Sequence, residues 1–203
     1  MSGVNYPLAA VQTLETWEAI RKRPQIYVDL KDPAGIIEEA CCQSRADAAN
    51  GLCSTLTVSL LDGDFVQVQD DGPGWPVDIE PKTGMRKAEV LLRHLFACRE
   101  AKSPEHRGFC NNGVVVLVAL SSDFFFQTVR DGKYWHQRFK EGAPMTPFEE
   151  GPPGSAELGT RMTFRLDPTI VPSPRLGVDM IGDRLNAMAE IPNRWVHDLR
   201  SSQ

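Results

Sequence analysis

Three polar side chains stand at helical spacing early in the sequence. Glu39, Gln43 and Asp47 are each four residues apart, so in a helix all three leave the same face on successive turns. A carboxylate that orients water, beside an oxygen ligand for a divalent cation, would have this form. The same spacing suits a solvated helical face equally well. This segment alone leaves both interpretations open.

A second segment with potential for chemistry spans residues 70–74 and has the sequence DDGPG. Asp70 at a strand end, followed by two glycines, would let the backbone approach a flat ligand closely while the carboxylate accepts from an amino group. Aspartate and glycine are also the commonest turn residues. Thr160, at the start of a later strand, carries no information by itself.

Histidines and cysteines form a third candidate site. His94 with Cys98 and His106 with Cys110 are two pairs at helical spacing, and zinc accepts two nitrogens and two sulfurs. The competing interpretation places His94 inside a helix core. The five cysteines would otherwise serve as small buried hydrophobes.

The elements that must position these residues follow from hydrophobic periodicity and turn signals. Asp32 and Pro33 predict the start of a helix that runs to Asn50. Residues 113–120 are a valine-rich run whose propensity favours a buried strand. The remaining predicted elements are strands at 56–60, 65–70, 124–129, 133–139 and 160–166, helices at 87–97 and 178–191, and a loop at 142–159.

The predicted strands outnumber the helices and are joined by hairpin turns. Asp62-Gly63 and Asp131-Gly132 are such turn signals. The sequence therefore predicts an α+β fold, a two-layer α/β sandwich whose mixed, mostly antiparallel sheet carries helices on one face. The length of 203 residues predicts a single domain over 1–203.

Composition excludes several classes of protein. With 41% hydrophobic and 24% charged residues, the chain is globular rather than disordered. No apolar run approaches the ~20 residues of a membrane span, and the N-terminus lacks a signal-peptide pattern. An odd number of cysteines argues against a disulfide framework, so we expect a cytoplasmic protein. A net charge of −5 argues against direct DNA binding by this chain alone.

The order of the motifs resembles the ATPase domain of the B subunit of bacterial DNA gyrase and topoisomerase IV, which belongs to the GHKL, or Bergerat-fold, superfamily. WEAIRKRPQIYV at 17–28 is similar to the family's AVRKRPGMYIG, and QDDGPGWPVDIEPKTG at 69–84 to its DNGRGIPVDIHPKTG. VALS at 118–121 resembles VNALS, and GTRMTF at 159–164 resembles GTTVTF. The likeness covers nearly the whole chain.

This resemblance implies that ATP, with Mg²⁺, binds between the helices and the sheet. It assigns to Asp70 the carboxylate that accepts from the adenine amine, to Thr160 the threonine that supports this aspartate through water, and to Glu39 the general base. It also implies a helix at 114–120, against propensity. The nucleotide-binding residues it implies are Gln43, Asp70, Gly72, Gly74, Pro76, Gly108, Gly113 and Thr160.

The sequence departs from the family at the position of the metal ligand and in the adenine-binding loop. The magnesium-binding asparagine is replaced by Gln43, whose amide lies one methylene further out, and Mg²⁺ tolerates little change of octahedral geometry. The arginine between the two glycines of the adenine loop is replaced by Pro73.

The phosphate lid departs further from the family. GGLHGVG is replaced by RGFCNNG at 107–113, which keeps glycines at Gly108 and Gly113. Cys110 and Asn111 replace the central histidine and glycine, although asparagine adopts positive φ more readily than most residues. Adenine recognition is therefore kept better than phosphate and metal recognition.

These observations favour an adenine-nucleotide-binding protein with slow or absent hydrolysis. The family's strand passage needs a transducer domain and a DNA-cleavage domain, neither of which we expect within 1–203. One alternative is a non-catalytic gyrase-like module that binds a partner, or forms a homodimer through an N-terminal arm at 1–12 that includes Tyr6 and Val11. Another alternative is a tailoring enzyme that uses Cys41, Cys42 or Cys110 chemically.

Overall fold

The computed structural model describes residues 14–97, 112–152 and 159–201. The helices and strands within these ranges follow the predicted alternation of elements closely. In chain order they are α1 (Thr16–Lys22), α2 (Pro33–Ala49), β1 (Thr55–Leu61), β2 (Phe65–Asp70), α3 (Lys87–Arg93), α4 (Val115–Leu120), β3 (Ser121–Arg130), β4 (Lys133–Lys140), β5 (Ala143–Pro144), β6 (Glu149–Glu150), β7 (Gly159–Leu166), α5 (Val178–Asn186) and β8 (Asn193–Asp198).

The described strands form one sheet in the order β5-β4-β3-β7-β2-β1-β8, with β6 beside β4. β1 and β8 run parallel, whereas the other pairs are antiparallel. This is the mixed, mostly antiparallel sheet of the predicted α+β class. Alternate side chains such as Val68, Phe126 and Phe164 are buried on one face, because that face carries the helices.

Helix α4 lies in the middle of the core, and every one of its side chains is buried. Helices α1, α2 and α3 all contact it. A segment that is apolar on all sides can form a helix when other elements surround it. The strand that propensity favours for 113–120 is therefore wrong, and the helix implied by the resemblance is confirmed.

Two predicted helices end earlier than their periodicity indicates. The helix predicted over 87–97 ends at Arg93, because His94 takes an extended conformation. Further on, the N–H of Phe96 donates to the carbonyl of Asn112 at 3.1 Å, and Phe96 has a positive φ of 59°. The helix predicted over 178–191 ends at Asn186.

The predicted loop from 142 to 159 contains the short strands β5 and β6, because both pair with β4 in antiparallel orientation. None of the described helices has the length and apolar character needed to cross a membrane.

Candidate functional site

Asp70 lies at the end of β2 at the meeting point of three segments. Its Oδ2 accepts from the hydroxyl of Ser44 on α2 at 2.7 Å. Its Oδ1 accepts from the backbone N–H groups of Gly72 and Thr160, each at 3.0 Å. The residue is 8% exposed. The fold therefore joins residues 44, 70, 72 and 160, which lie far apart in the sequence.

The electrostatic state of Asp70 reflects burial opposed by hydrogen bonding. Burial raises its pKa to about 6, although the three donors lower it and the nearby Asp47 adds repulsion. Asp70 is thus largely ionised at neutral pH. A carboxylate offers about four acceptor positions, of which the three donors occupy three. The fourth position, on Oδ2, is not used by these three donors.

The loop after β2 is held against the sheet by close backbone contacts. A Cβ on Gly74 would lie 2.0 Å from the carbonyl oxygen of Val129, and Gly74 has a φ of +77°, so only glycine fits. A Cβ on Gly72 would lie 3.2 Å from Asp70 Oδ1. At the far end of the loop, the carbonyl of Pro76 accepts from the N–H of Ala88 at 2.8 Å, which ties the loop to α3.

Thr160 lies beside Asp70 with its side chain buried against β3. Its hydroxyl oxygen is 3.0 Å from that of Thr128, which also accepts from the N–H of Trp75 at 2.9 Å. A Cβ on Gly159 would lie 1.9 Å from the Asp70 carbonyl oxygen. The hydroxyl of Thr128 on β3 therefore contacts both the start of β7 and the loop that follows β2.

Glu39 on α2 is buried at the start of α4. Its Oε2 accepts from the N–H of Gly113 at 3.0 Å, and its Oε1 accepts from the N–H of Asn112 at 3.3 Å. The sulfur of Cys42 lies 3.7 Å from Oε2. The solvated-face interpretation is wrong for this side chain, because its carboxylate binds two backbone donors in the interior.

Gln43 reaches along α2 toward the Asp70 end of the site. Its amide nitrogen donates to Oδ1 of Asp47 at 2.8 Å, and Asp47 is buried. Among residues 14–97, 112–152 and 159–201, no group of three or more His, Cys, Asp or Glu side chains could hold a metal ion. The assignment of Gln43 as a magnesium ligand stays a prediction.

Several predicted residues lie outside the described part of the chain. These are the arm at 1–12 with Tyr6 and Val11, the lid residues Gly108 and Asn111, and Cys98, His106 and Cys110. Of the predicted zinc ligands, only His94 is described, and it follows the last residue of α3 in an extended conformation. The zinc site and the homodimer through the arm therefore stay predictions.

Two of the described cysteines, Cys41 and Cys53, are poor candidates for nucleophiles. Burial raises the pKa of Cys41 to about 12, and burial together with the charge of Asp70 raises the pKa of Cys53 to about 12. Because the thiolate is the reactive form, both thiols are inert at neutral pH. This chemistry argues against the tailoring enzyme at Cys41, the first of the cysteines considered for it.

Comparison with known proteins identifies relatives but no matching family model. The chain is 31% identical over 208 residues to the DNA gyrase B subunit of Treponema pallidum, which covers 99% of this chain and 32% of that protein. For the DNA gyrase B subunit of Thermotoga maritima the identity is 31% over 191 residues, covering 91% of this chain and 30% of that protein. The corresponding protein of Mycoplasmoides gallisepticum is 33% identical with the same coverage.

The chain is a homologue of the ATPase-domain region of the DNA gyrase B subunit. It spans about a third of the length of the curated relatives it matches. The resemblance found from the RKRP and DDGPGWPVDI motifs is therefore confirmed. The roles of individual residues in this gyrase B-like chain stay open to experiment.

Three residues of this gyrase B-like site are not singled out by the sequence. Ser44 falls on the small-to-apolar stripe of α2, where a hydroxyl facing the core requires a partner, and this is the signal that points toward Asp70. Thr128 carries no local signal, because its partners come from two other segments. Arg130 donates to the carbonyls of Pro73 and Gly74 at 3.3 and 3.2 Å and so holds the loop after β2 against β3.

Proposed function

We propose that this gyrase B-like chain binds an adenine nucleotide at Asp70 and hydrolyses ATP slowly or not at all. The observation that carries the proposal is the buried carboxylate of Asp70, which keeps one acceptor position after binding three donors. The exocyclic amine of adenine donates hydrogen bonds and suits that position. The glycines at 72 and 74 leave backbone without side chains beside it.

The residues that would serve the phosphates and the metal are engaged within the protein. Both oxygens of Glu39 accept backbone hydrogen bonds, and the amide of Gln43 donates to Asp47. Bound Mg²⁺ would supply neutralisation of the phosphate charge. Because both oxygens of Glu39 already accept backbone hydrogen bonds, an attacking water would compete with these amides for the carboxylate, which supports weak turnover.

The proposal is tested by calorimetric titration with ADP and a non-hydrolysable ATP analogue, each with and without Mg²⁺. Asp70→Asn should weaken ADP binding by about 1–3 kcal/mol, because the amine of adenine would then face a side chain that no longer carries a full acceptor charge. Most of the affinity should persist without Mg²⁺.

Asp71→Asn is the matched control. Asp71 accepts from the N–H groups of Ser54 and Thr55 at 2.8 and 2.9 Å, so it anchors β1 and not a ligand. Its variant should bind ADP like the unmodified protein. Absence of ADP binding by the folded, unmodified protein would contradict the proposal, as would equal losses in the two variants.

A further inference from the structure

The sheet has an outer face, opposite the face that carries the helices. Successive side chains of a strand point to opposite faces, so the neighbours of the buried Val68, Phe126 and Phe164 lie on this outer face. Most of the outer side chains are half-buried or exposed. Because directly paired residues share a face, the strand register arranges the outer side chains in rows that cross the sheet.

Two adjacent rows cross the outer face from β8 to β4. The first row consists of Trp195, Thr57, Gln69, Arg161, Gln127 and His136. The second row includes Gln67, Thr163, Phe125 and Arg138. None of the described positions of the two rows is acidic, although the chain carries 27 acidic residues and a net charge of −5. The net charge is thus an average that hides a positive region on this face.

Two arginines supply the positive charge within the rows. The cross-strand partners of Arg161 are Gln69 and Gln127, and that of Arg138 is Phe125, so neither arginine lies opposite an acidic residue. The acidic side chains of the outer face lie at the border of the rows. One is Glu149 on β6, which is paired with His136, and the other is Asp123 on β3, which binds Arg165 at 2.6 Å.

The outer face also presents planar groups. The guanidinium of Arg138 lies over the ring of Phe125, 4.1 Å from its centroid, and the side chain is exposed. One side of this planar cation is therefore covered by the ring, while the other is turned to solvent. At the opposite end of the rows, Trp195 on β8 is 55% exposed. Cations and exposed planar groups occur together on one surface.

We propose that the outer face binds single-stranded nucleic acid across the strands from β8 to β4. The arginines neutralise phosphates, and the guanidinium of Arg138 and the indole of Trp195 are surfaces on which unpaired bases stack. Asp70 lies on the opposite face of the sheet, so this binding is separate from the proposed nucleotide site.

The planar groups favour a single strand over a duplex. In a duplex each base plane is covered by its neighbours, so it cannot stack on a guanidinium or an indole at the surface of a sheet. They also favour a nucleic acid over an acidic protein, whose carboxylates need cations but no stacking surface.

The test is a fluorescence anisotropy titration of the full chain with a labelled oligodeoxythymidylate of about 15 nucleotides, over a series of salt concentrations. Arg138→Ala should weaken binding by about fivefold or more, because one stacking surface is lost with its charge. The slope of log affinity against log salt should fall by about 0.7 in this variant. Trp195→Ala should weaken binding comparably but leave the slope unchanged, because the indole carries no charge.

Arg175→Ala is the matched control. Arg175 lies outside the two rows, is highly exposed and pairs with Asp64 at 3.8 Å, so its replacement removes the same charge from a different place. Both the affinity and the salt slope of this variant should equal those of the unmodified protein. A loss equal to that of Arg138→Ala would show that only the net charge matters and would overturn the inference.

Three further outcomes would overturn it. One is the absence of oligonucleotide binding by the unmodified protein at about 50 mM salt, where phosphate contacts are strong. Another is equally tight binding of a duplex or of polyglutamate of similar length, which would indicate a general surface for polyanions. The third is a loss of oligonucleotide binding in Asp70→Asn, which would place the oligonucleotide at the nucleotide site. The inference requires that Asp70→Asn bind the oligonucleotide like the unmodified protein, whether or not either of them binds ADP.

Discussion

Two buried carboxylates, Asp70 beside the C-terminal half of α2 and Glu39 on α2 itself, differ in how their oxygens are bound. Toward the C-terminal end, Ser44 and two backbone donors hold Asp70 but leave it an acceptor position. Nearer the N-terminal end, both oxygens of Glu39 bind the backbone amides of Asn112 and Gly113. The carboxylate of Asp70 thus keeps an acceptor position that the proposed function assigns to a ligand, whereas the carboxylate of Glu39 holds the chain that enters α4.

Under the proposed function, this contrast assigns base binding and phosphate chemistry to separate parts of the fold. The Asp70 end depends on convergence of three segments, and close contacts such as that of Gly74 with Val129 leave little freedom to change it. The Glu39 end is held by two hydrogen bonds from the backbone of Asn112 and Gly113. We therefore expect variants at the two ends to have distinct effects.

The largest expected effect is on turnover. If hydrolysis is detectable, Glu39→Gln should reduce phosphate release by about 10²–10⁴-fold, because the general base is lost, while ADP affinity stays near that of the unmodified protein. The variant should also unfold more easily by about 1–3 kcal/mol, since the new amide would turn a donor toward Asn112 or Gly113.

Glu38→Gln is the control for this experiment, because Glu38 is the neighbouring carboxylate on α2 and pairs with Arg184 at 2.9 Å. It should keep full turnover. Equal rates in Glu39→Gln and the unmodified protein would remove Glu39 from the mechanism.

The next effect is the loss of stability on adding a Cβ, compared between Gly74 in the tightly packed loop after β2 and Gly84 in an open turn. Gly74→Ala should destabilise the fold by about 2–5 kcal/mol, because a positive φ and a backbone clash act together, and it should abolish ADP binding. Gly84 has a similar φ of +71° but no atom within 4 Å of its added Cβ.

Gly84→Ala should therefore cost only about 1–2 kcal/mol and leave ADP binding unchanged. Chemical denaturation and titration of both variants measure the difference. Similar losses in the two variants would show that the contact with Val129 does not constrain the loop.

A smaller effect concerns pH and Asp70. Its folded pKa of about 6 lies above the ordinary 3.8, so the folded state holds the proton more tightly and stability falls as pH rises from about 4 to about 6. At about pH 8, Asp70→Asn should be more stable than the unmodified protein by about 1–2 kcal/mol, and this gain should disappear below about pH 4.

Urea unfolding at both pH values measures this difference. ADP affinity of the unmodified protein should decline below about pH 6, as the acceptor becomes protonated. An unmodified protein that is more stable than the variant at pH 8 would show that ionised Asp70 strengthens the fold.

The smallest effect concerns Gln43. Replacing it by asparagine removes the bond to Asp47 and should cost about 0.2–0.5 kcal/mol of stability. It should also increase the effect of Mg²⁺ on affinity for the ATP analogue, because the shorter amide restores the family's metal ligand. Strong dependence on Mg²⁺ in the unmodified protein, unaffected by Gln43→Asn, would instead point to the lid residues Cys110 and Asn111.

Much of the fold can be predicted from the sequence because its signals are local. Alternating apolar residues locate β1, β2 and β7, and Asp32 with Pro33 locates the start of α2. The end of α3 is not predictable in this way, because the chain leaves the helix to pair Phe96 with Asn112. The helical state of α4 follows from the resemblance, since its valines by themselves favour a strand.

The sequence by itself determined the motif around Asp70 and the glycines of its loop, because a positive φ and close backbone approach require these residue types, whereas Thr160 was identified only through the resemblance. Tertiary structure decided the rest. It brought Ser44 and Thr128 to the site, gave Asp70 a pKa of about 6 and placed Glu39 on the amides before α4. These properties arise from burial and from contacts between segments distant in the chain, which no local pattern records.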